Sequence, residues 1–223
     1  MNGKLYLVAT PIGNLKDITQ RAIEVLSSVE IIACEDTRKT GLLLQKLEIK
    51  NKPYLLSYYE ENELGRISQM INFLKENKNV ALVSNAGTPT ISDPGFKLVR
   101  ECLKQEIKVE SIPGPSSLLT ALTVSGLPTD KFMFLGFLPK KGGKRKIIFE
   151  SLPKKTTVIF FESPFRLLKT LNGLKETLGD IEIVVCRELT KIFEEIRREK
   201  ISQSMTHFEK NKPKGELTIL FHF

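Results

Sequence analysis

"VSNAGTPTISDPG", residues 83–95, is the stretch on which the reading of this chain turns. It leaves a β-branched run, Val80 to Ser84, and then sets Gly, Pro, Ser, Thr, Asn and Asp in series before the helical pattern "GFKLVRECL", Gly95 to Leu103. A strand, a long stiff polar loop and a helix in that order make a βα unit. The loop is longer than reversing the chain requires, which points to a binding loop.

The same alternation extends on both sides. Short strands are predicted at Leu5–Ala9, Glu30–Cys34, Tyr54–Ser57 and Val109–Ile112, with helical patterns at Ile18–Val29 and Gly65–Asn77 between them. Strands alternating with helices imply a mostly parallel sheet covered on both faces. The stretch "PGPSSLLTALTVSGLPTD", Pro113 to Asp130, then opens a helix after Pro115 and closes it at Gly126 and Pro128, which marks it as a bridge. A second set follows at Phe132–Phe137, Thr157–Phe161, Ile181–Cys186, a charged run around Phe193–Ile196 and the terminal "GELTILFHF". Two α/β domains, 1–114 and 115–223, account for the order, with no internal repeat and no disordered tail.

Three more loops follow predicted strands: "TPIGNLKD" (Thr10 to Asp17), "CEDTRKT" (Cys34 to Thr40) and "PGPSS" (Pro113 to Ser117). In an open parallel sheet such loops gather at the carboxyl edge, where ligands bind. In three of the four loops Pro beside small residues makes the backbone stiff and open to close approach by a flat ligand, although each loop taken singly also reads as a tight turn. No GxGxxG follows the first strand and no GxxxxGK[ST] occurs, so neither a dinucleotide site nor a P-loop is supported.

Glu35, Asp36 and Arg38 sit just past a strand. The carboxylates can orient a hydroxyl, or Asp36 can cap the helix that starts near Thr37. Asp93 is equally divided between a polar floor to the loop and an N-cap with Pro94 as the first helical residue. The two histidines, His207 and His222, have no metal-binding or catalytic company, and no GxSxG elbow precedes a helix. No metal site is expected.

With 34 Lys and Arg against 26 Asp and Glu, the net charge of +8 admits a polyanionic partner. The densest run is "PKKGGKRKIIFESLPKK", Pro139 to Lys155, either a phosphate-contacting loop through Lys140, Lys141, Lys144 and Arg145 or a solvated surface. Cys34, Cys102 and Cys186 lie far apart, which argues against a disulfide framework and fits a reducing compartment. The apolar run at Leu5–Ala9 is too short for a signal peptide or a membrane span, so a cytoplasmic protein is expected.

Taken together the segments "LYLVATPIGNLKDITQRAIEVL", "CEDTRKT", "AGTPTISDPG", "IPGPSSLLTALTVSGLPTDKFMFLGFLPKK", "FFESPFRL", "RELTKIFEE" and "PKGELTI" resemble the tetrapyrrole methylase superfamily, the class III methyltransferases. More narrowly they resemble its bacterial branch that 2′-O-methylates a cytidine of small-subunit (16S) ribosomal RNA at the decoding centre. They run in order over nearly the whole chain.

The resemblance implies two α/β domains with S-adenosylmethionine in a cleft between them, and a homodimer. It places the cofactor on Pro11, Gly13 and Asn14, on Gly87, Thr88, Pro89, Ile91, Ser92 and Asp93, on Pro113, Pro115 and Ser116, and on Phe137 and Leu138 of "FLGFLP". It implies Glu35, Asp36 and Arg38 as groups that orient the ribose, with Glu162, Arg166 and Glu188 as further catalytic candidates. The partner it implies is 16S rRNA, within the small ribosomal subunit. A tetrapyrrole-like small-molecule substrate and a non-catalytic RNA-binding assembly role are the alternatives.

The chain departs from that pattern at four positions. Asn85 stands where an Asp is usual, and Tyr59, Glu61 and Phe165 stand where histidines are favoured. Proton acceptance at those positions therefore cannot rest on an imidazole.

Overall fold

The computed structural model describes residues 2–223, which divide into two compact units at Ser116/Ser117. The first unit runs β1 (Leu5–Val8), α1 (Gln20–Ser28), β2 (Ile31–Cys34), α2 (Thr37–Lys46), β3 (Tyr54–Ser57), α3 (Glu63–Lys75), β4 (Val80–Val83), α4 (Phe96–Lys104) and β5 (Val109–Ile112). Its strands form one sheet in the order β3-β2-β4-β1-β5, parallel throughout.

The period of two explains why these strands read as unbroken apolar runs. Leu5, Ile31, Ala33, Val80 and Leu82 face one core with Met70, Leu74, Leu98 and Cys102 of α3 and α4. Val8, Ile32, Cys34, Ala81 and Val83 face the other with Ala22, Leu26 and Leu44 of α1 and α2. Because both faces are covered, no position in the central strands is left to a polar residue.

Two caps settle open readings. Asp36 is the N-cap of α2, its Oδ1 accepting the Arg38 N–H at 3.0 Å. Asp93 is not the cap of α4, and Pro94 is not its first residue: the cap is Gly95, at φ +133°, and the helix begins at Phe96. A backbone turned that far from helical values cannot carry the helix back to Pro94.

The second unit runs α5 (Ser117–Ser125), β6 (Phe132–Phe137), α6 (Gly142–Glu150), β7 (Thr157–Glu162), α7 (Leu167–Leu178), β8 (Glu182–Arg187), β9 (Glu195–Lys200), α8 (Ile201–Lys210) and β10 (Leu217–His222). Here the sheet is mixed, unlike that of the first unit. The sheet order is β6-β7-β10-β8-β9, and only β6 and β7 are parallel. The physical reason for β8 and β9 is their connection, residues 188–194, which is too short for a crossover and so makes a hairpin. That hairpin also displaces the strand expected around Phe193–Ile196 toward the C-terminus. One core holds the unit together, centred on Phe149, Phe160, Phe208 and Phe221 against Leu167, Leu171 and Leu174 of α7.

The three cysteines are free and buried. Among the described residues no helix is long and apolar enough to cross a membrane, and no group of three or more His, Cys, Asp or Glu is placed to hold a metal ion.

Candidate functional site

Five parallel strands send five loops to one edge of the first sheet, and there the loops hold one another. Thr10, just after β1, exchanges both backbone hydrogen bonds with Gly87 of the loop after β4, at 2.9 and 3.0 Å. The Thr10 hydroxyl donates to the Ser84 carbonyl at 3.2 Å, and the Thr88 hydroxyl donates to the Pro115 carbonyl after β5 at 3.0 Å. From the loop after β2, Glu35 Oε1 accepts the Asn85 N–H at 2.9 Å. Four loops thus form one lattice of main-chain and short side-chain bonds.

Within it Gly87 lies at φ +80°, and a side chain there would begin 3.4 Å from Ile12 Cγ2. Its backbone conformation, more than crowding, selects glycine. Thr90 and Ser92 also hold positive φ, at +73° and +62°. For residues with a Cβ that conformation costs on the order of 1–3 kcal/mol each, and such cost concentrates where a backbone is shaped for a ligand. Pro11, Gly13 and Asn14 belong to the same edge, with the Asn14 side chain accepting the Lys16 N–H at 3.1 Å to form a short 3-10 turn. Pro89 is buried, whereas Ile91, Ser92, Pro113 and Gly13 are exposed and Asp93, Pro115 and Ser116 half-buried.

Below the far end of the β4–α4 loop sits a group that sequence reading passed over. Glu63 is 4% exposed and accepts from the Tyr58 hydroxyl at 2.7 Å and the Gly95 N–H at 3.0 Å, with Lys97 Nζ at 2.8 Å. Burial pushes its carboxyl up, but Lys97, Tyr58 and the Gly95 amide together hold it below the usual carboxylate range. A cavity of about 260 Å³ opens here, walled by Glu63, Ser92, Asp93, Phe96 and Lys97. Nothing local marked Glu63, because a glutamate at the start of a helix is ordinarily solvated.

The expected catalytic groups differ in what they are free to do. Asp36 is held to about 2 by the Arg38 side chain, which grips both carboxylate oxygens at 3.1 and 2.9 Å. Glu162 is buried in the second unit, where its carboxylate accepts from Ser163 N (2.7 Å), Thr170 Oγ1 (2.5 Å) and Arg166 Nη2 (3.1 Å). Arg166 Nε lies 2.9 Å from the same carboxylate as an ion pair without hydrogen-bond alignment. Arg166 also donates to the Leu138 carbonyl at 2.7 Å, and the Leu138 side chain is buried in the core. Glu188 accepts from Lys191 Nζ at 2.7 Å and Glu216 N at 2.9 Å.

These three groups of the second unit therefore brace turns. Thr170 had a visible signal, a polar residue inside the apolar stripe Leu167, Leu171 and Leu174.

Among the expected phosphate contacts, Lys140, Lys141 and Lys144 are exposed. Arg145 is the exception: it is 4% exposed and donates to the carbonyls of Pro139 and Lys140 at 3.0 and 2.9 Å. It shapes the loop that carries the lysines. Phe137, at the end of β6, is 59% exposed.

Residues 4–204 match the protein family described as Tetrapyrrole (Corrin/Porphyrin) Methylases. The chain is 52% identical over 219 residues to "Ribosomal RNA small subunit methyltransferase I" of Thermotoga maritima, covering 98% of this chain and 97% of that one. It is 48% identical over 220 residues to the protein of the same name in a Hydrogenobaculum species, covering 97% and 94%. Among solved structures it is similar to a cobalt precorrin-4 methyltransferase of cobalamin biosynthesis, with TM-score 0.71 and 19% identity over 98% of this chain and 94% of that one. It is also similar to a diphthine synthase, with TM-score 0.72 and 13% identity over 99% and 90%. At those identities the structural likeness bears on the fold alone.

Proposed function

The chain belongs to the tetrapyrrole (corrin/porphyrin) methylase family, and from that membership we propose that it transfers a methyl group from S-adenosylmethionine to the 2′-oxygen of a cytidine ribose in small-subunit ribosomal RNA, at the decoding centre. The observation that carries the reading is the near-full-length identity to relatives named for methylating small-subunit ribosomal RNA. The exposed lysines of the β6–α6 loop support the same substrate class. A homodimer acting in the cytoplasm belongs to the same reading.

The residues at the first sheet's carboxyl edge fit the cofactor. Gly87 has no side chain of its own and its backbone is held by Thr10, and Pro11, Pro89, Pro113 and Pro115 stiffen the surrounding loops. Gly13, Asn14, Thr88, Ile91, Ser92, Asp93 and Ser116 complete that proposed contact set, with Phe137 and the Leu138 backbone proposed from the second unit.

S-adenosylmethionine, when bound, supplies a methyl group that is already activated. The chain's own task is to orient the ribose and to accept its proton. Asp36 is a poor acceptor, because Arg38 stabilises its ionised form so strongly. Glu162 and Glu188 are tied into turns. Glu35 is the carboxylate best suited to meet the ribose hydroxyl: it commits Oε1 to Asn85 and stands beside the cofactor loop.

The test is tritium transfer from labelled S-adenosylmethionine to small ribosomal subunits isolated from cells that lack this protein, with the labelled nucleotide mapped afterward. Label on a cytidine ribose of the decoding region is the expected result. No label from a protein that binds the cofactor, beside an active control methyltransferase on the same subunits, would overturn the reading.

A further inference from the structure

The register of the second sheet brings four chain segments to one edge. Glu162 ends β7 opposite Leu217 at the start of β10, and Leu217 pairs with Arg187 at the end of β8, which pairs with Glu195 at the start of β9. The turns 163–166, 188–194 and 211–216 therefore share that edge. Phe137 pairs with Phe161, so β6 ends there as well and the lysine-bearing loop leaves from the same side.

On the turns 163–166 and 188–194 the tips are apolar and the roots are charged, the reverse of an ordinary surface turn. Phe165 is 98% exposed, Ile192 91% and Phe193 68%. Under Phe165 lies the buried Glu162 with Arg166 and Thr170, and Arg166 ties the turn to the Leu138 carbonyl. Under Ile192 and Phe193 lies the Glu188–Lys191–Glu216 cluster, with the Lys191 and Glu194 amides bonded back to Glu188 and Lys191. Both turns are braced from beneath, so the aromatic tips are held outward.

No packing within the unit accounts for a phenylalanine at that exposure. What meets it comes from outside, and the cations of the edge indicate its charge. Lys140, Lys141, Lys144, Lys212 and Lys214 are all exposed, and residues 138–149 contain no acidic side chain. Aromatic faces interleaved with lysines suit single-stranded nucleic acid, whose bases stack while its phosphates are neutralised. β7 and β8 flank β10, so the strands that carry the two turns lie about 10 Å apart, two strand spacings.

We propose that Phe165, together with Ile192 and Phe193, forms a stacking platform for unpaired bases of the RNA substrate beside the phosphate-contacting lysines. The proposal rests on the RNA reading above and names the residues that would grip the nucleotides. It also gives the Phe165 departure a use: stacking needs an aromatic face and no titratable ring.

The chain contains no tryptophan, so Phe165→Trp creates a single indole fluorophore at the tip. The full-length variant is titrated with a short single-stranded RNA of mixed sequence, and Phe165→Ala is compared with wild type for RNA and small-subunit binding across a salt series. The platform predicts that RNA quenches the indole emission of the Phe165→Trp variant. It also predicts a loss of about 5- to 150-fold in affinity for Phe165→Ala, the range of one base–aromatic stack, at unchanged salt slope and unchanged cofactor affinity.

No quenching together with wild-type affinity in Phe165→Ala overturns the platform and leaves the RNA reading standing if lysine variants still weaken binding. A change of oligomeric state in Phe165→Ala at unchanged RNA affinity also overturns it and assigns the patch to a contact between copies of the chain. Wild-type protein that binds neither RNA nor subunits overturns both readings.

Discussion

Glu63 accepts the backbone N–H of Gly95 at 3.0 Å, joining the first turn of α3 to the last residue of the β4–α4 loop. Gly95 is fixed from the other side as well, since a Cβ on it would lie 2.6 Å from Leu82 Cδ2 and 2.9 Å from Thr90 Cγ2. A buried carboxylate and an obligatory glycine thus set where the β4–α4 loop ends and α4 begins. The loop is anchored at its start by Thr10 and at its end by Glu63.

This pair gives the protein an acid-sensitive element. Glu63 is held below its ordinary value of 4.5, so its contribution to stability is complete above that pH and is lost as pH falls through the lower folded value. Glu63→Gln removes the titration and leaves Lys97 without its partner. At neutral pH the variant is expected to be about 1–3 kcal/mol less stable than wild type. The gap should narrow in urea melts taken from about pH 7 down to about pH 3. A gap that stays constant over that range would show that the carboxylate's charge does not brace the loop.

Gly87→Val tests the close approach of a cofactor to the loop lattice. A β-branched residue at φ +80° strains the Thr10–Gly87 bridge by on the order of 1–3 kcal/mol. Gly87→Ala carries most of that backbone strain with less bulk and serves as the control. Calorimetry is expected to show S-adenosylmethionine affinity at least about tenfold weaker in the valine variant than in the alanine variant, a difference of about 1.4 kcal/mol, with both folded by circular dichroism. Equal affinities would remove Gly87 from the cofactor site.

The first unit was legible because its strands are covered on both faces. Val80–Val83 and Ile31–Cys34 have no polar position to disguise them, and a Gly- and Pro-bearing loop after the first and the acidic pair Glu35 and Asp36 after the second mark where they end. The second unit was less so. The direction of β8 and β9 depends on a short connection whose shape rests on positive φ at Glu188 and Thr190, which composition does not reveal. Site residues divided the same way. Main-chain loops announced themselves through glycine and proline, whereas Glu63, Glu162 and Arg145 owe their roles to burial, and a charged residue's burial depends on partners distant in the sequence.

Arg166→Met leaves the Glu162 carboxylate buried with only Ser163 N and Thr170 Oγ1 as partners. Breaking a buried pair in this way costs about 3–5 kcal/mol, and the two remaining donors place the expected loss near about 3 kcal/mol. The double variant Glu162→Gln with Arg166→Met should recover part of that loss, because it removes the stranded charge. Chemical denaturation of wild type, the two single variants Glu162→Gln and Arg166→Met, and the double variant measures the coupling. Additive losses would mean that the ion pair does not hold the turn.

The β6–α6 loop separates three lysines proposed to touch phosphate from an arginine that shapes the loop. Lys140, Lys141 and Lys144 are exposed, so replacing all three with Ser is expected to lower RNA affinity and to reduce the salt slope by about 2, at roughly 0.7 per phosphate contact for a single strand. Arg145 is buried, and its guanidinium holds the Pro139 and Lys140 carbonyls from inside. Arg145→Ser strands two carbonyls and opens space beneath the loop, so it should lower stability by about 1–3 kcal/mol. Its effect on RNA affinity then comes through a loosened loop, with the salt slope close to wild type because no phosphate contact is deleted. Thermal melts and a salt titration of RNA binding on the two variants separate these roles. If Arg145→Ser lowered the slope as a lysine variant does while leaving stability unchanged, the buried arginine would have to turn outward and contact phosphate when RNA binds.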